Sequence, residues 1–139
     1  MFKSLALLGI LLFIGCQGQV APHSVLLGKW KSNEKLTLAS MNSVEGVTPK
    51  ARDSFENELF GHLMDEFREK EYRTINDKDN YESGFVPYEV LEVTDRYIRL
   101  REWSDLLKEY EESTLYLDGE CYYVMTSKFN FREYFCRFG

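Results

Sequence analysis

The sequence is poor in the groups on which most enzymes depend. It holds two histidines and three cysteines in 139 residues, and Lys plus Arg number 17 against 23 Asp plus Glu. Nucleophilic catalysis needs a base within hydrogen-bond reach of the nucleophile, and His23 and His62 stand in no such motif. The glycines Gly61, Gly84 and Gly119 are isolated, so no phosphate-cradling loop is present. A net charge of −6 speaks against nucleic acid, whose phosphates call for clustered Lys and Arg. Cys121 and Cys136, with only the two histidines available, match no zinc spacing. Neighbouring carboxylates (Asp65-Glu66, Glu111-Glu112) read as a solvated acidic surface, because acid–base work needs specific separations. Three prolines and nine glycines exclude a collagenous or Pro-rich chain. These absences predict a protein that is not an enzyme, with no metal, no cofactor and no nucleic-acid partner.

What the chain does have is apolar and aromatic mass. Hydrophobic residues make up 44%, and 10 Phe, 9 Tyr and 2 Trp argue against disorder. The length suits a single domain.

Residues Met1 to Gln19 form an address. Lys3 supplies a positive start, and Leu5 to Ile14 is an uncharged apolar run, shorter than the ~20 residues that span a hydrocarbon core. The following Phe13-Ile14-Gly15-Cys16 resembles a bacterial lipobox, which implies cleavage after Gly15 and diacylation of Cys16; Phe13 stands where that pattern usually has Leu. The alternative is an ordinary signal peptide that contains a cysteine. On the lipobox reading, residues 1–15 are signal, 16–24 are the lipidated N-terminus and tether, and 25–139 are the domain. The resemblance then implies a cell-envelope location, facing the periplasm from the outer membrane, with the membrane as a partner through the anchor.

With Cys16 assigned to lipid, Cys121 and Cys136 remain as a pair. The stretch between them alternates around a turn at Ser127 to Asn130, which places the two cysteines opposite one another on a hairpin. Export permits a disulfide there, the alternative being two buried thiols.

Along the domain, Leu26 to Ser32 reads as a first strand, and Glu34 to Ala39 as its extension or a turn. Thr48 and Pro49 open a helix through Met64, with Ala51, Phe55, Leu59 and Leu63 recurring every fourth residue. From Glu66 the period changes to two. Strands are expected at Glu66–Ile75, Phe85–Val93, Tyr97–Trp103, Tyr110–Leu117, Glu120–Thr126 and Phe131–Phe138, with Asp118-Gly119 as a hairpin signal. The expected fold is α+β and mostly β: an antiparallel meander of about seven strands, curled or half-open, with one amphipathic helix after the first strand. Parity puts Ser113, Leu115, Leu117, Tyr122, Val124, Phe131 and Phe135 on one face. The other face carries Glu112, Thr114, Tyr116, Cys121, Tyr123, Met125, Arg132, Tyr134 and Cys136.

Gly28-Lys29-Trp30, a G-x-W ahead of an antiparallel meander, resembles the opening of lipocalin-like domains, and Arg132 or Arg137 could stand where that family packs a basic side chain over the tryptophan. The resemblance implies binding of a small apolar ligand, or none, without catalysis. Trp30, Trp103, Tyr123, Arg132 and Tyr134 are the candidate ligand or contact residues, Trp30 being otherwise a core anchor. Two rival readings are an inhibitor or immunity lipoprotein that blocks a basic toxin or hydrolase, and a structural envelope lipoprotein without ligand.

Overall fold

A computed structural model describes residues 23–139. The signal segment, Cys16 and most of the expected tether lie outside the described residues. His23 and Ser24, assigned to the tether from sequence, belong to the folded body. The His23 ring is buried and its Nε2 bonds the Glu69 carbonyl at 2.9 Å, while Ser24–Leu26 form a 3-10 turn.

The strands are β1 (Gly28–Ser32), β2 (Leu63–Phe67), β3 (Glu71–Asn76), β4 (Tyr81–Glu82), β5 (Val86–Val93), β6 (Tyr97–Ser104), β7 (Glu109–Asp118), β8 (Cys121–Met125) and β9 (Arg132–Arg137). They pair in the order β2-β1-β9-β8-β7-β6-β5-β3, and β2 also pairs with β3, so eight antiparallel strands close on themselves. The two-residue β4 hangs on β3. The barrel is therefore closed, not half-open. The expected strand Glu66–Ile75 is two strands, β2 and β3, joined at Arg68 to Lys70. Phe67 pairs with Tyr72 across that hairpin, and this pairing closes the ring and removes the open edge.

The segment between β1 and β2 also differs from expectation. Glu34–Asn42 is a helix, α1, started by the Asn33 side chain, which accepts from the Leu36 N–H at 3.0 Å. Thr48 and Pro49 open α2 (Pro49–Ser54) as expected, with Thr48 Oγ1 accepting from Ala51 N–H. One wider turn carries the chain to Leu59, and Gly61, at φ +79°, ends it in the left-handed conformation that favours glycine. Leu63 and Met64 belong to β2. The place of Leu63 in the every-fourth series is a coincidence of spacing, and the expected helix ends before Met64.

Helix α1 also completes β9. Strand β1 is too short to reach the first half of β9, whose N–H groups at Arg132 and Tyr134 would lack partners. The Ser40 and Thr37 hydroxyls accept them, at 2.8 and 2.9 Å. Beneath the helices, Met41, Phe60 and Phe131 form a small second core.

The main core fills one end of the barrel. Leu26, Trp30, Phe67, Tyr88, Ile98, Leu100, Leu115, Tyr122 and Phe135 pack there. The face that parity groups as Ser113, Leu115, Leu117, Tyr122, Val124 and Phe135, without assigning it a side, is the one turned to the barrel interior, whereas Phe131 of the same set packs in the second core. The β7–β8 turn lies one residue further on, at Gly119-Glu120, since Asp118 pairs with Cys121. Gly119 supplies φ +59° at the first turn position. That shift moves each cross-strand partner by two residues, so it leaves the faces unchanged.

On the outside, Cys121 and Cys136 are paired in register and joined by a disulfide. A 15-residue loop is worth about 3 kcal/mol in the chain-entropy model. Cys121→Ala with Cys136→Ala is therefore expected to cost about 2–3 kcal/mol. Urea unfolding of the two forms measures it; equal midpoints would contradict the expectation.

Candidate functional site

The barrel holds a cavity of about 190 Å³ that opens to solvent beside Glu111 and Ser113. Its walls follow from strand parity. On five of the strands an apolar inward residue near the core end is followed, two positions away and one layer higher, by a polar one, whereas on β8 Tyr122 is followed by the apolar Val124. Phe67 is followed upward by Asp65, Tyr72 by Thr74, Leu100 by Glu102, and Phe135 by Glu133; Leu115 is followed by Ser113 and then Glu111. All of these line the cavity, together with Tyr88, Tyr122 and Val124. The result is an aromatic floor below a ring that carries four carboxylates.

The floor is tightly packed. Tyr122 stacks on Phe135 with ring centres 5.2 Å apart, and Phe67 stacks on Tyr72 at 5.3 Å. Below it, Trp30 meets Tyr122 edge-on at 5.0 Å and donates its indole N–H to the Leu26 carbonyl at 2.7 Å. The Arg137 guanidinium covers Trp30 at 4.3 Å from the ring and donates to the Leu27 and Val25 carbonyls. Arg137 thus closes the floor and ties down the entering chain. Gly28 adopts φ +117°, and a Cβ there would sit 3.0 Å from the Arg137 guanidinium. The backbone conformation therefore calls for glycine at this position of the G-x-W triplet, and a side chain there would also press on the guanidinium that covers Trp30.

The upper ring is electrostatically loaded. Asp65 accepts from the Tyr122 hydroxyl and the Thr74 hydroxyl, both at 2.7 Å. Burial nonetheless holds its carboxyl above the usual range; the two hydroxyls pull it down, and the charge of Glu102 adds to the rise. Glu102 accepts from the Tyr72 hydroxyl at 2.6 Å and is paired in register with Glu111, like charge against like charge. Glu133 is pushed up to about 7, chiefly by burial and secondarily by Asp65. Its Oε1 is shut off from solvent and, among the described residues, has no hydrogen-bond partner. The Tyr72 and Tyr122 hydroxyls are raised well above their ordinary value, again chiefly by burial beside these carboxylates. The one basic residue at the cavity edge, Arg101, pairs on the outside with Glu89 at 2.7 Å and lies over Tyr110.

The residues singled out from sequence lie elsewhere. Trp30 is the buried support of the floor, 2% exposed, and is not among the cavity-lining residues. Tyr123, Arg132 and Tyr134 stand together on the outer surface. Tyr116 stacks on Tyr123 at 5.0 Å, Tyr123 meets Tyr134 at 5.3 Å, and Arg132 covers Tyr123 at 4.6 Å. This ladder is a cross-strand device of the kind that stabilises sheets. Trp103 is 45% exposed near the β6–β7 tip, edge-on to Tyr110. The structure therefore brings three of the five together, but outside the barrel. Asp65, Glu102, Glu111 and Glu133 were not singled out as a group. Parity could have found Glu111 and Glu133, which share the inward face with Ser113 and Phe135.

The geometry defines a closed antiparallel barrel with an internal, aromatic-floored and acid-rimmed cavity. No protein-family profile, curated protein or solved structure matches this chain.

Proposed function

We propose that this chain is a lipocalin-like binding barrel that holds a small molecule in its interior and performs no catalysis. The observation that carries the reading is the cavity itself, because a barrel of this size can fill its interior with side chains, and this one leaves about 190 Å³ above a packed floor. The lipocalin-like character rests on Gly28 and Trp30 on β1, a 3-10 turn before them, and a late arginine stacked over the tryptophan. The proposed setting is the cell envelope, on the strength of the lipobox-like Phe13 to Cys16. Two acyl chains would suffice for stable anchoring of an acidic domain that anionic headgroups repel.

Native mass spectrometry of the protein purified from its own envelope tests the reading. The expected result is a retained small mass that is lost on denaturation. It should also be missing from Ser113→Trp, whose indole would fill the cavity. A mass that persists in a folded Ser113→Trp, or a bare wild-type protein, would count against an interior site.

A second reading, as an inhibitor of a basic protein, is favoured by one feature. The β6–β7 tip exposes Leu106 (91%) and Leu107, flanked by Asp105, Glu109 and Glu112. An apolar tip with acidic shoulders suits a basic cleft. A retained protein mass in the same experiment would move the assignment there.

A further inference from the structure

The binding-barrel reading leaves the chemistry of the ligand open, and the inference below rests on that reading. The expectation from sequence was a largely apolar occupant, which suits the floor but not the rim. Four carboxylates from four different strands line one cavity: Asp65 on β2, Glu102 and Glu111 on β6 and β7, and Glu133 on β9. Arg101, the one cation at the edge, is engaged outside by Glu89. Among the described residues no three acidic, histidine or cysteine side chains converge as they would for a metal ion. The charge is spread around a wall, which suits a ligand with a body and a charged end better than a point ion.

We propose that the cavity takes a small organic cation, a protonated amine carried on a single ring or an equally short apolar chain. The buried Glu133 Oε1 lacks a donor, and an ammonium supplies three. Asp65 already spends hydroxyl bonds from Tyr122 and Thr74 on both of its oxygens, so it is held in place as a preset acceptor. Glu102, fixed by Tyr72, faces Glu111 across the strand pair, and a cation between them would relieve their repulsion. Below, the rings of Phe67, Tyr72, Tyr122 and Phe135 offer an apolar bed with electron-rich faces. Size sets the limit: a cavity of ~150 Å³ accommodates benzene, so about 190 Å³ admits one ring with a two- or three-atom arm.

Isothermal titration calorimetry at pH 8 with three probes of nearly equal size tests this: 2-phenylethylamine, 2-phenylethanol and phenylacetate. The amine is expected to bind at least about tenfold more tightly than the alcohol, and phenylacetate not to bind. In the Asp65→Asn, Glu133→Gln double variant the amine should weaken about tenfold or more while the alcohol changes little. Ser113→Trp should abolish amine binding. If that variant binds the amine unchanged, the amine sits on surface acids and the proposal falls. Alcohol binding equal to or tighter than amine binding would overturn the cationic assignment and leave the barrel reading intact. Absence of binding by all three would overturn the proposal, with the barrel reading then standing or falling on the co-purified mass.

Discussion

Replacing Trp30 with alanine is expected to cost about 4 kcal/mol of folding stability, the largest effect of any single change considered for this barrel. Three losses combine. The indole is buried below the floor, so its removal leaves a void that the surrounding strands close only in part. Its N–H bond to Leu26 and its edge contact with Tyr122 go with it. Arg137 loses the ring that it covers, and with it part of the support for its bonds to Val25 and Leu27. Urea unfolding followed by tyrosine fluorescence measures the change. Trp30→Phe, which keeps most of the volume, should cost about half as much and guards against an alanine variant that does not fold. A cost below about 1 kcal/mol for alanine would mean that the floor does not depend on this side chain.

The second large effect is a gain. Glu133 holds its proton up to about pH 7 in the folded barrel, whereas its ordinary value is 4.5. Between those values the folded state binds more protons than the unfolded chain. Stability therefore falls as pH rises through this window, and the full cost is present above pH 7. Glu133→Gln removes that cost while keeping the shape of the side chain. The variant is expected to be more stable than wild type by roughly 2–3 kcal/mol at pH 8 and little different at pH 4. Asp65, raised for the same main reason, keeps part of the wild-type slope in the variant. Denaturant titrations at pH 4, 6 and 8 give the comparison. A gain no larger at pH 8 than at pH 4 would show that Glu133 ionises as an ordinary surface carboxylate.

Such a cost is informative about function. A buried carboxylate with an unpartnered oxygen lowers stability, and a fold selected for stability alone would replace it with glutamine or leucine. Its position on the cavity wall, opposite an aromatic floor, gives the cost a use that the alternatives lack. The outer tyrosine ladder carries no comparable penalty, since its rings and the Arg132 guanidinium satisfy one another.

Much of this architecture was legible in the chain. Alternation along β7, β8 and β9 put Leu115, Tyr122 and Phe135 on one shared face and the two cysteines opposite one another, because a period of two leaves little freedom in the pairing; which face turns inward was not legible, since a one-residue slip exchanges the two. Thr48-Pro49 announced α2 through capping chemistry that is local to four residues. Closure was not legible. It depends on Phe67 finding Tyr72 across a polar three-residue turn, Arg68-Glu69-Lys70, that contains no Gly, Pro or Asn to punctuate the run. Helix α1 was hidden because its polar and apolar residues show little segregation, and its start rests on a single Asn33 cap. The acidic rim was missed for a different reason. Glu133 and Glu111 have inward parity, but charged residues in a strand read by default as solvent-facing. Only closure of the ring shows that four such residues line one cavity.

The most direct measurement is methyl and amide chemical-shift mapping of the labelled protein during titration with a set of single-ring compounds, charged and neutral. An interior site predicts that the largest changes fall on Leu100, Leu115 and Val124 and on the amides of Ser113 and Glu133. Changes confined to the outer surface, such as the open groove that Leu36 and Val44 line together with Met125 and Tyr134, or no changes at all, would contradict the central claim that this barrel binds its ligand inside.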